Sequence, residues 1–348
     1  MLRHERPPEK DKKESRGFLG KIWKTFDGCE VDIAFKDKAD AARVTIDDPY
    51  DRTSEKMHLY MDTDPIVGSV QIRPKGTLKH KGITIELVGY VTTLTDKEDR
   101  FDFTQEEKKL EPDSIGQPVT IDFNFTCKKP YESYRGINAK VSYVLRVTIG
   151  GQMKNVTEKE EIWVAKVDTE KADAYALANP SKQGPERHYY REGEFGPNSV
   201  SMEVGVDNVL HIEFKYDKRV FHLHDRVLGM VTFKVMDLDL QYGEVGIVRK
   251  EYIGSGRPTD AVETETLQKF EIMDGTPIVG EVVPIRLYLD SIPRLTPTYP
   301  TVHNLFRVIY FINLVLVTGE GKRYFKQQEV TLFRAPGQEI PANMQVST

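Results

Sequence analysis

Histidines are the residues of this sequence whose spacing comes nearest to a metal site. His222 and His224 stand two residues apart, which places both imidazoles on one face of a strand, and His211 could lie on a neighbouring strand. A zinc site needs a third and a fourth ligand at about 2.0–2.3 Å from the metal, and no spacing in the sequence supplies them. We therefore interpret both histidines as solvent-facing residues opposite the apolar Phe221 and Leu223. A metal-dependent β-sandwich enzyme built on them is the competing hypothesis, and elemental analysis of the purified protein would decide it.

Neither the glycines nor the cysteines form a recognisable catalytic motif. Residues 319–322 lack the upstream glycine of a phosphate-binding loop, and Arg323 stands where Ser or Thr would hold magnesium. A hairpin turn is the better account of this segment. Cys29 and Cys127 lack the surroundings of a nucleophile, so we expect both to be small buried hydrophobic residues. The sequence thus predicts no catalytic residue, no metal and no cofactor, and a protein that is not an enzyme.

Composition narrows the class of protein further. With 348 residues, 39% of them apolar and 30% charged, the chain can fold into two domains. The 49 basic and 54 acidic residues give a net charge of -5, which argues against nucleic acid as the main partner. Two cysteines fit a reducing compartment. Residues 1–16 contain no signal-peptide core, and the apolar stretch 308–317 is far shorter than the roughly 20 residues that cross a bilayer, so we expect a cytosolic protein.

Alternation of apolar and polar residues with a period of two dominates the chain. The pattern is clear in residues 119–126, 141–149 and 210–216. Such runs predict half-buried antiparallel strands, and glycine-containing turns such as Asp274-Gly275 separate them. Around these runs there is no long segment with apolar residues at helical spacing. The sequence therefore predicts an all-β protein of Ig-like β-sandwiches.

Two strand-rich blocks predict two tandem sandwich domains. The expected divisions are a disordered extension, a first domain, a linker, a second domain and a disordered tail, at residues 1–16, 17–167, 168–198, 199–334 and 335–348. In the linker, Thr169 is placed to cap a short helix that runs to Ala178. Residues 17–26 are aromatic and basic, and they suit either a weak membrane-surface segment or a first strand docked on the first domain.

Several short motifs occur in an order that resembles one family. They include KPYESY at residues 129–134, MEVGV at 202–206, KFEIMDG at 269–275 and RYFKQQE at 323–329. On these motifs the sequence resembles the arrestin-fold subunit of retromer, the vacuolar protein sorting subunit twenty-six, over roughly residues 18–333. The resemblance implies that the two sandwiches adopt an arrestin-like arrangement. The charged extension, the long linker and the short tail depart from the family pattern.

The resemblance implies a non-enzymatic adaptor in membrane traffic. Its expected partners are the long α-solenoid subunit of retromer, through it the metallophosphoesterase-like subunit, sorting nexins, and the cytosolic tails of transmembrane cargo. Such a protein would lie in the cytoplasm and on the cytosolic face of endosomes as a peripheral membrane protein, and would retrieve cargo to the Golgi or the plasma membrane. The alternative is an arrestin-type adaptor for receptor tails outside retromer. That alternative predicts PPxY motifs in the tail, which residues 335–348 lack.

The resemblance also implies a loop that binds the solenoid subunit. The matching residues are Ile272, Met273, Asp274 and Pro277. Read from the sequence alone, Ile272 and Met273 adjoin the Asp274-Gly275 turn, where apolar side chains often lack core partners. Two roles stay open for this pair, since the side chains could be contact anchors or could pack beneath the turn.

A groove between the two domains, for cargo tails and a sorting nexin, is the second implied site. The matching positions are Met202 and Val204, with Val204 lining a pocket for an apolar cargo residue, and Phe325. Phe325 alternates with polar residues on its strand, so it needs a partner for its ring. Its partner could be a bound peptide or the seam between the two domains.

Overall fold

The structure is a computed structural model of the chain, and it describes residues 24–26, 28–36, 43–48, 53–94, 98–178, 195, 198–254, 261–292 and 294–337. Apart from one α-helix and a short 3₁₀ turn, the regular elements in these residues are strands, which confirms the predicted all-β fold. No helix in the described residues is long and apolar enough to span a bilayer. The predictions for residues 1–16 and for most of the tail lie outside the described residues.

The first sandwich packs a four-stranded sheet against a seven-stranded sheet. Its strands, in chain order, are β1 (Lys24–Phe26), β2 (Cys29–Phe35), β3 (Arg43–Asp48), β4 (Thr53–Met61), β5 (Ile66–Pro74), β6 (Leu78–His80), β7 (Ile83–Leu94), β8 (Glu98–Leu110), β9 (Asp113–Ile115), β10 (Val119–Phe125), β11 (Tyr134–Arg135), β12 (Ala139–Ile149) and β13 (Val156–Ala165). The orders are β1-β2-β5-β10 and β3-β4-β13-β12-β7-β8, with β11 beside β12 and a separate β6-β9 ribbon.

The second sandwich repeats this plan with a four-stranded and a six-stranded sheet. Its strands are β14 (Val200–Val206), β15 (Leu210–Tyr216), β16 (Val220–His222), β17 (Arg226–Met236), β18 (Leu240–Ile253), β19 (Ala261–Asp274), β20 (Val282–Tyr288), β21 (Tyr299–Val302), β22 (Phe306–Thr318) and β23 (Arg323–Phe333). The orders are β14-β15-β17-β20 and β16-β23-β22-β18-β19, with β21 beside β22. Together the two sandwiches give the arrestin-like double sandwich expected from the sequence.

The period-two pattern fixes which side of each strand faces the core. On β10, Ile121, Phe123 and Phe125 are buried, whereas the polar residues between them are exposed. The same alternation of buried and half-buried residues runs along β15. One core cluster of buried side chains extends through both sandwiches. Burial of these apolar faces is the main free-energy gain that holds the sheets together.

A helix follows the first sandwich, as the sequence predicts, but a different residue caps it. The helix is α1 (Thr169–Ala178). The backbone N–H of Lys171 donates to Oδ1 of Asp168 at 2.9 Å, so Asp168 is the cap and Thr169 is the first helical residue. A carboxylate both accepts this hydrogen bond and suits the positive end of the helix dipole. Most of the linker after residue 178 lies outside the described residues.

Two roles were considered for residues 17–26, a membrane-surface segment or a first strand. The last three of these residues form a strand. Lys24–Phe26 forms β1 and pairs with β2, with Phe26 opposite Cys29. Residues 17–23 lie outside the described part of the chain. The structure therefore supports docking onto the first sandwich at the end of this segment.

A buried polar network joins the two sandwiches. Arg334 donates two hydrogen bonds to the carboxylate of Glu132, at 2.6 and 3.0 Å, and both side chains are almost fully buried. Glu251 accepts from the Tyr134 hydroxyl at 2.8 Å and from the Asn138 backbone N–H at 2.6 Å. Burial raises the pKa of the Glu251 carboxyl. Each buried charge thus has partners from the opposite sandwich, as buried charges require.

Strand directions place one loop at the far end of each sandwich. Glu251 on β18 contacts the first sandwich, and β18 extends from there back to Leu240. Ala139 begins β12 near the same junction, and β12 ends at Ile149. At about 3.3 Å per residue, each strand extends roughly 30 Å away from the junction. We call the end that carries loop 150–155 the outer end of the first sandwich, and the end that carries loop 275–281 the outer end of the second.

Candidate functional site

The histidine pair is not solvent-facing, contrary to the expectation from the sequence, because both His222 and His224 are half-buried. His222 is partly buried beneath the ring of Tyr175 from α1, with ring centroids 5.3 Å apart. Burial lowers the pKa of His222, despite an opposing contribution from Asp225. Phe221 and Leu223 are fully buried on the other face. Within the described residues, no group of three or more His, Cys, Asp or Glu side chains converges as metal ligands.

The other sequence motifs also have structural roles. In the hairpin between β22 and β23, the N–H of Gly321 donates to the carbonyl of Thr318 at 2.8 Å, and Gly321 has φ of 81°. Cys29 is fully buried and Cys127 is half-buried. Burial raises the pKa of both thiols, which favours the unreactive protonated form. The candidate functional sites described next are surfaces of the second sandwich.

The loop at the outer end of the second sandwich is held by both sheets. The N–H of Gly275 donates to the carbonyl of Gln241 at 2.7 Å, and the N–H of Gly280 donates to the carbonyl of Phe233 at 2.7 Å. Both glycines have positive φ, of 80° and 86°, which other L-residues adopt at a cost. The loop from residue 275 to 281 therefore presents its side chains on a fixed backbone.

The four residues implied for solenoid binding differ in their accessibility. Ile272 and Met273 are half-buried and pack against the core, Asp274 is exposed, and Pro277 is buried. Gly243 makes room for Met273, because a Cβ atom at Gly243 would lie 2.9 Å from the Met273 Cγ. Ile272 and Met273 are thus partly packed beneath the turn and partly available for contact.

Two exposed apolar residues of this loop were missed by the sequence reasoning. Ile278 is 74% exposed and Val279 is 61% exposed, next to the buried Pro277. The available signal was an apolar pair between two turn glycines, which has no strand on which to alternate. Further exposed apolar residues stand at or next to strand ends at the same end of the sandwich, namely Val206, Val235 and Val282. Exposed apolar side chains gathered at one end of a domain are typical of interaction sites.

The three residues implied for the cargo groove do not form one open pocket. Phe325 is 65% exposed, whereas Met202 and Val204 are buried in the core of the second sandwich. Val315, which lies opposite Phe325 on β22, is also buried. The accessible part of this predicted site is therefore the ring of Phe325.

Unpaired strand edges adjoin that ring. Among the described residues, β14 pairs only with β15, and β23 pairs with β16 only over residues 331–333. The two strands lie close to each other at the side of the sandwich. Unpaired backbone groups at an edge can accept an added strand.

A surface groove of about 520 Å³ crosses the outer face of the six-stranded sheet beside Phe325. It runs over Gly246, whose register partner on β22 is Asn313. Val315 lines the same groove. The Oδ1 atom of Asn313 is buried without a hydrogen-bond partner among the described residues.

Comparison with known proteins identifies relatives over most of the chain. The family model for vacuolar protein sorting-associated protein 26 matches residues 26–321. The chain is 37% identical over 299 residues to vacuolar protein sorting-associated protein 26 of Dictyostelium discoideum, which covers 84% of this chain and 78% of that protein. It is 36% identical over 311 residues to protein 26B of Danio rerio, covering 88% and 86%. It is 37% identical over 311 residues to protein 26B of Arabidopsis thaliana, covering 88% and 94%.

Proposed function

This chain belongs to the family of vacuolar protein sorting-associated protein 26, and we propose that it is a non-enzymatic subunit of retromer. In this proposal it works as an adaptor in the retrieval of transmembrane cargo from endosomes to the Golgi or the plasma membrane. Its direct partner is the long α-solenoid subunit, which links it to the metallophosphoesterase-like subunit. It resides in the cytoplasm and, through the complex, on the cytosolic face of endosomes.

The apolar loop at the outer end of the second sandwich is the observation that carries this proposal. Ile278 and Val279 project from a backbone that is hydrogen-bonded to both sheets, so little conformational entropy is lost when a partner covers them. Burying such a side chain contributes about 1.5–3 kcal/mol. The exposed Lys269–Glu244 pair nearby contributes about 0–1 kcal/mol. We infer that apolar contacts of Ile278, Val279 and the half-buried Ile272 and Met273 dominate binding of the solenoid subunit.

Titration calorimetry with the purified solenoid subunit tests this assignment. Replacing Ile278→Asp together with Val279→Asp should weaken binding by at least about 100-fold, because two buried apolar contacts become buried charges. Ile272→Asp with Met273→Asn should likewise remove binding. Val262→Asp is the matched control, since Val262 is 46% exposed and stands on β19 near the junction. Unchanged affinity in both double variants, with circular dichroism showing a normal fold, would reject the proposal.

For cargo tails and a sorting nexin, we propose the side of the second sandwich where β14 and β23 present their free edges. An extended tail would pair with an edge strand and set an apolar side chain against the exposed ring of Phe325. Met202 and Val204 support the edge from within the core and hold β14 in place.

Phe325→Ala tests the cargo surface separately from the solenoid surface. The variant should weaken association with a cargo-tail peptide and a sorting nexin by roughly tenfold or more, and should leave solenoid binding unchanged. Tyr288→Ala is the control, because Tyr288 is a 49% exposed aromatic residue elsewhere on the same sandwich. Equal loss of both activities in Phe325→Ala would point to misfolding and would contradict the assignment.

A further inference from the structure

The outer end of the first sandwich displays a single, completely exposed methionine. Met153 is 102% exposed at the tip of loop 150–155, which joins β12 to β13. The loop is fixed by its neighbour, because the N–H of Gly150 donates to the carbonyl of Gly82 and the N–H of Lys81 donates to the carbonyl of Gly150, at 2.9 and 2.7 Å. The Lys81 ammonium also donates to the carbonyl of Gln152 at 3.3 Å. The apolar tip is therefore held away from the body of the sandwich.

Exposed lysines surround this tip. Four of them stand on the loops and ribbon at this end, namely Lys75, Lys79, Lys81 and Lys154. Two exposed acids, Glu111 and Asp113, share the end, so four positive and two negative charges give +2. Two nearby pairs of opposite charge add no net charge. They are the ion pair Lys109–Glu107 and the register partners Arg73 and Glu30. The described side chains of this end thus carry a net positive charge, whereas the whole chain carries -5.

We propose that the outer end of the first sandwich contacts an anionic lipid bilayer, with Met153 inserted among the headgroups. A flexible, unbranched apolar side chain on a projecting tip can enter the interfacial layer, and the lysines around it can approach anionic lipids. Each basic residue near such a surface strengthens association by about fivefold. A protein partner would require a cluster of buried anchors, whereas Met153 is the one strongly exposed large apolar residue among the described residues of this end.

The lipid contact is an addition to the retromer assignment, and it uses a surface separate from the solenoid-binding loop. The membrane-contacting tip and the proposed solenoid-binding loop lie at the outer ends of different sandwiches. Both surfaces can therefore be occupied together, and a weak membrane contact would add to the other contacts of an assembled complex through effective concentration.

Flotation of the full chain with vesicles tests the proposal. The probes are vesicles of phosphatidylcholine alone and vesicles of phosphatidylcholine mixed with phosphatidylserine, each at low and at physiological ionic strength. The wild-type chain should float with the mixed vesicles at low salt and dissociate from them as the salt concentration rises. It should not float with vesicles of phosphatidylcholine alone. Met153→Asp should lower the bound fraction several-fold, and Lys81→Glu with Lys154→Glu should lower the partition coefficient by at least about tenfold.

Two control variants separate a membrane contact from a general effect of charge or polarity. Leu177→Asp alters an 85% exposed apolar residue of α1, and Lys128→Glu reverses an exposed lysine away from this end; both should float like the wild type. Failure of the wild-type chain to float with the mixed vesicles at low salt would overturn the proposal. So would flotation of the Met153 and lysine variants to the same extent as the wild type. Calorimetry with the solenoid subunit in parallel shows whether the retromer assignment stands on its own.

Discussion

The buried ion pair between Glu132 and Arg334 is the most consequential single contact of the junction. Both carboxylate oxygens of Glu132 accept hydrogen bonds from one guanidinium. Removal of one partner leaves an unpaired charge in the core. Glu132→Gln should therefore lower the free energy of unfolding by about 3–5 kcal/mol, as measured by urea denaturation.

The double variant Glu132→Gln with Arg334→Met is the control for that prediction. It removes both charges and should recover a large part of the lost stability, because a desolvated pair is nearly balanced against apolar replacements. A double variant as unstable as Glu132→Gln alone would show that shape, and not charge pairing, matters at this position.

The carboxylate of Glu213 gives a prediction about pH. Partial burial alone would raise its pKa, but hydrogen bonds from Lys234, Lys215 and Ser201 lower the pKa from 4.5 to about 2. A depressed folded-state pKa stabilises the fold above pH 4.5, and this contribution is lost as pH falls towards 2. The difference in unfolding free energy between wild type and Glu213→Gln should be about 1 kcal/mol at neutral pH, because solvent screens the exposed lysines, and should shrink below pH 4.5. A difference that stays constant from pH 7 to pH 3 in urea titrations would contradict it.

For single residues, the sequence indicated which positions are apolar but not how exposed each side chain is. Phe325 was expected to need a partner, and it is exposed. Val204 was placed in a pocket, yet the alternation that makes β14 a strand turns Val204 into the core. Ile278 and Val279 carried no periodic signal, because a loop has no fixed side-chain alternation. Only the backbone path between Gly275 and Gly280 shows that both side chains point outward.

The side chain of Tyr175 attaches helix α1 to the second sandwich. The Tyr175 hydroxyl donates to Asp225 at 2.5 Å and accepts from the Lys218 ammonium at 2.6 Å. Burial is the main cause that raises the pKa of Tyr175 to about 12, so the hydroxyl stays protonated. The ring also packs on Phe333, with centroids 5.6 Å apart.

Tyr175→Phe should loosen α1 without unfolding the protein. The variant keeps the ring contacts and loses both hydrogen bonds, each worth about 1 kcal/mol. Amide hydrogen exchange of residues 169–178 should accelerate by roughly fivefold or more, while exchange of the central strands stays unchanged. Leu177→Ala, which alters a side chain 85% exposed, should leave exchange at the wild-type rate. Unchanged exchange in Tyr175→Phe would show that other contacts hold the helix.

At the element scale, strands were predictable and their pairing was not. The period-two runs at residues 119–126 and 210–216 became β10 and β15, because one face of each is buried. The helix after residue 168 was expected, although the capping residue was assigned one position too late. Sheet order depends on long-range contacts, such as the parallel pairing of β4 with β13, that no local pattern encodes.

Between the sandwiches, an aromatic contact complements the buried charges. His303 packs against Phe101, Phe103 and Tyr131 of the first sandwich, with ring centroids 4.5, 5.9 and 5.8 Å away. Its backbone has φ of 47°, which is uncommon for residues other than glycine and asparagine. The ring contacts offset the cost of this conformation, which few sequence-based arguments would anticipate.

In the whole molecule, the two proposed contact surfaces lie at different ends. The outer end of the second sandwich carries Ile278 and Val279, and the outer end of the first carries Met153 among lysines. The junction between them is fixed by buried charges, so neither contact requires the sandwiches to separate. In the proposed adaptor role, both surfaces can therefore act without a change in the arrangement of the two sandwiches.

Hydrogen exchange of the full chain with and without the solenoid subunit measures whether the apolar loop is the docking surface. Complex formation should protect amides in residues 270–281 and the adjoining strand ends of the second sandwich. Loop 150–155 and the rest of the first sandwich should exchange as in the free chain. Protection confined to the first sandwich, or no protection at saturating solenoid subunit, would contradict the account.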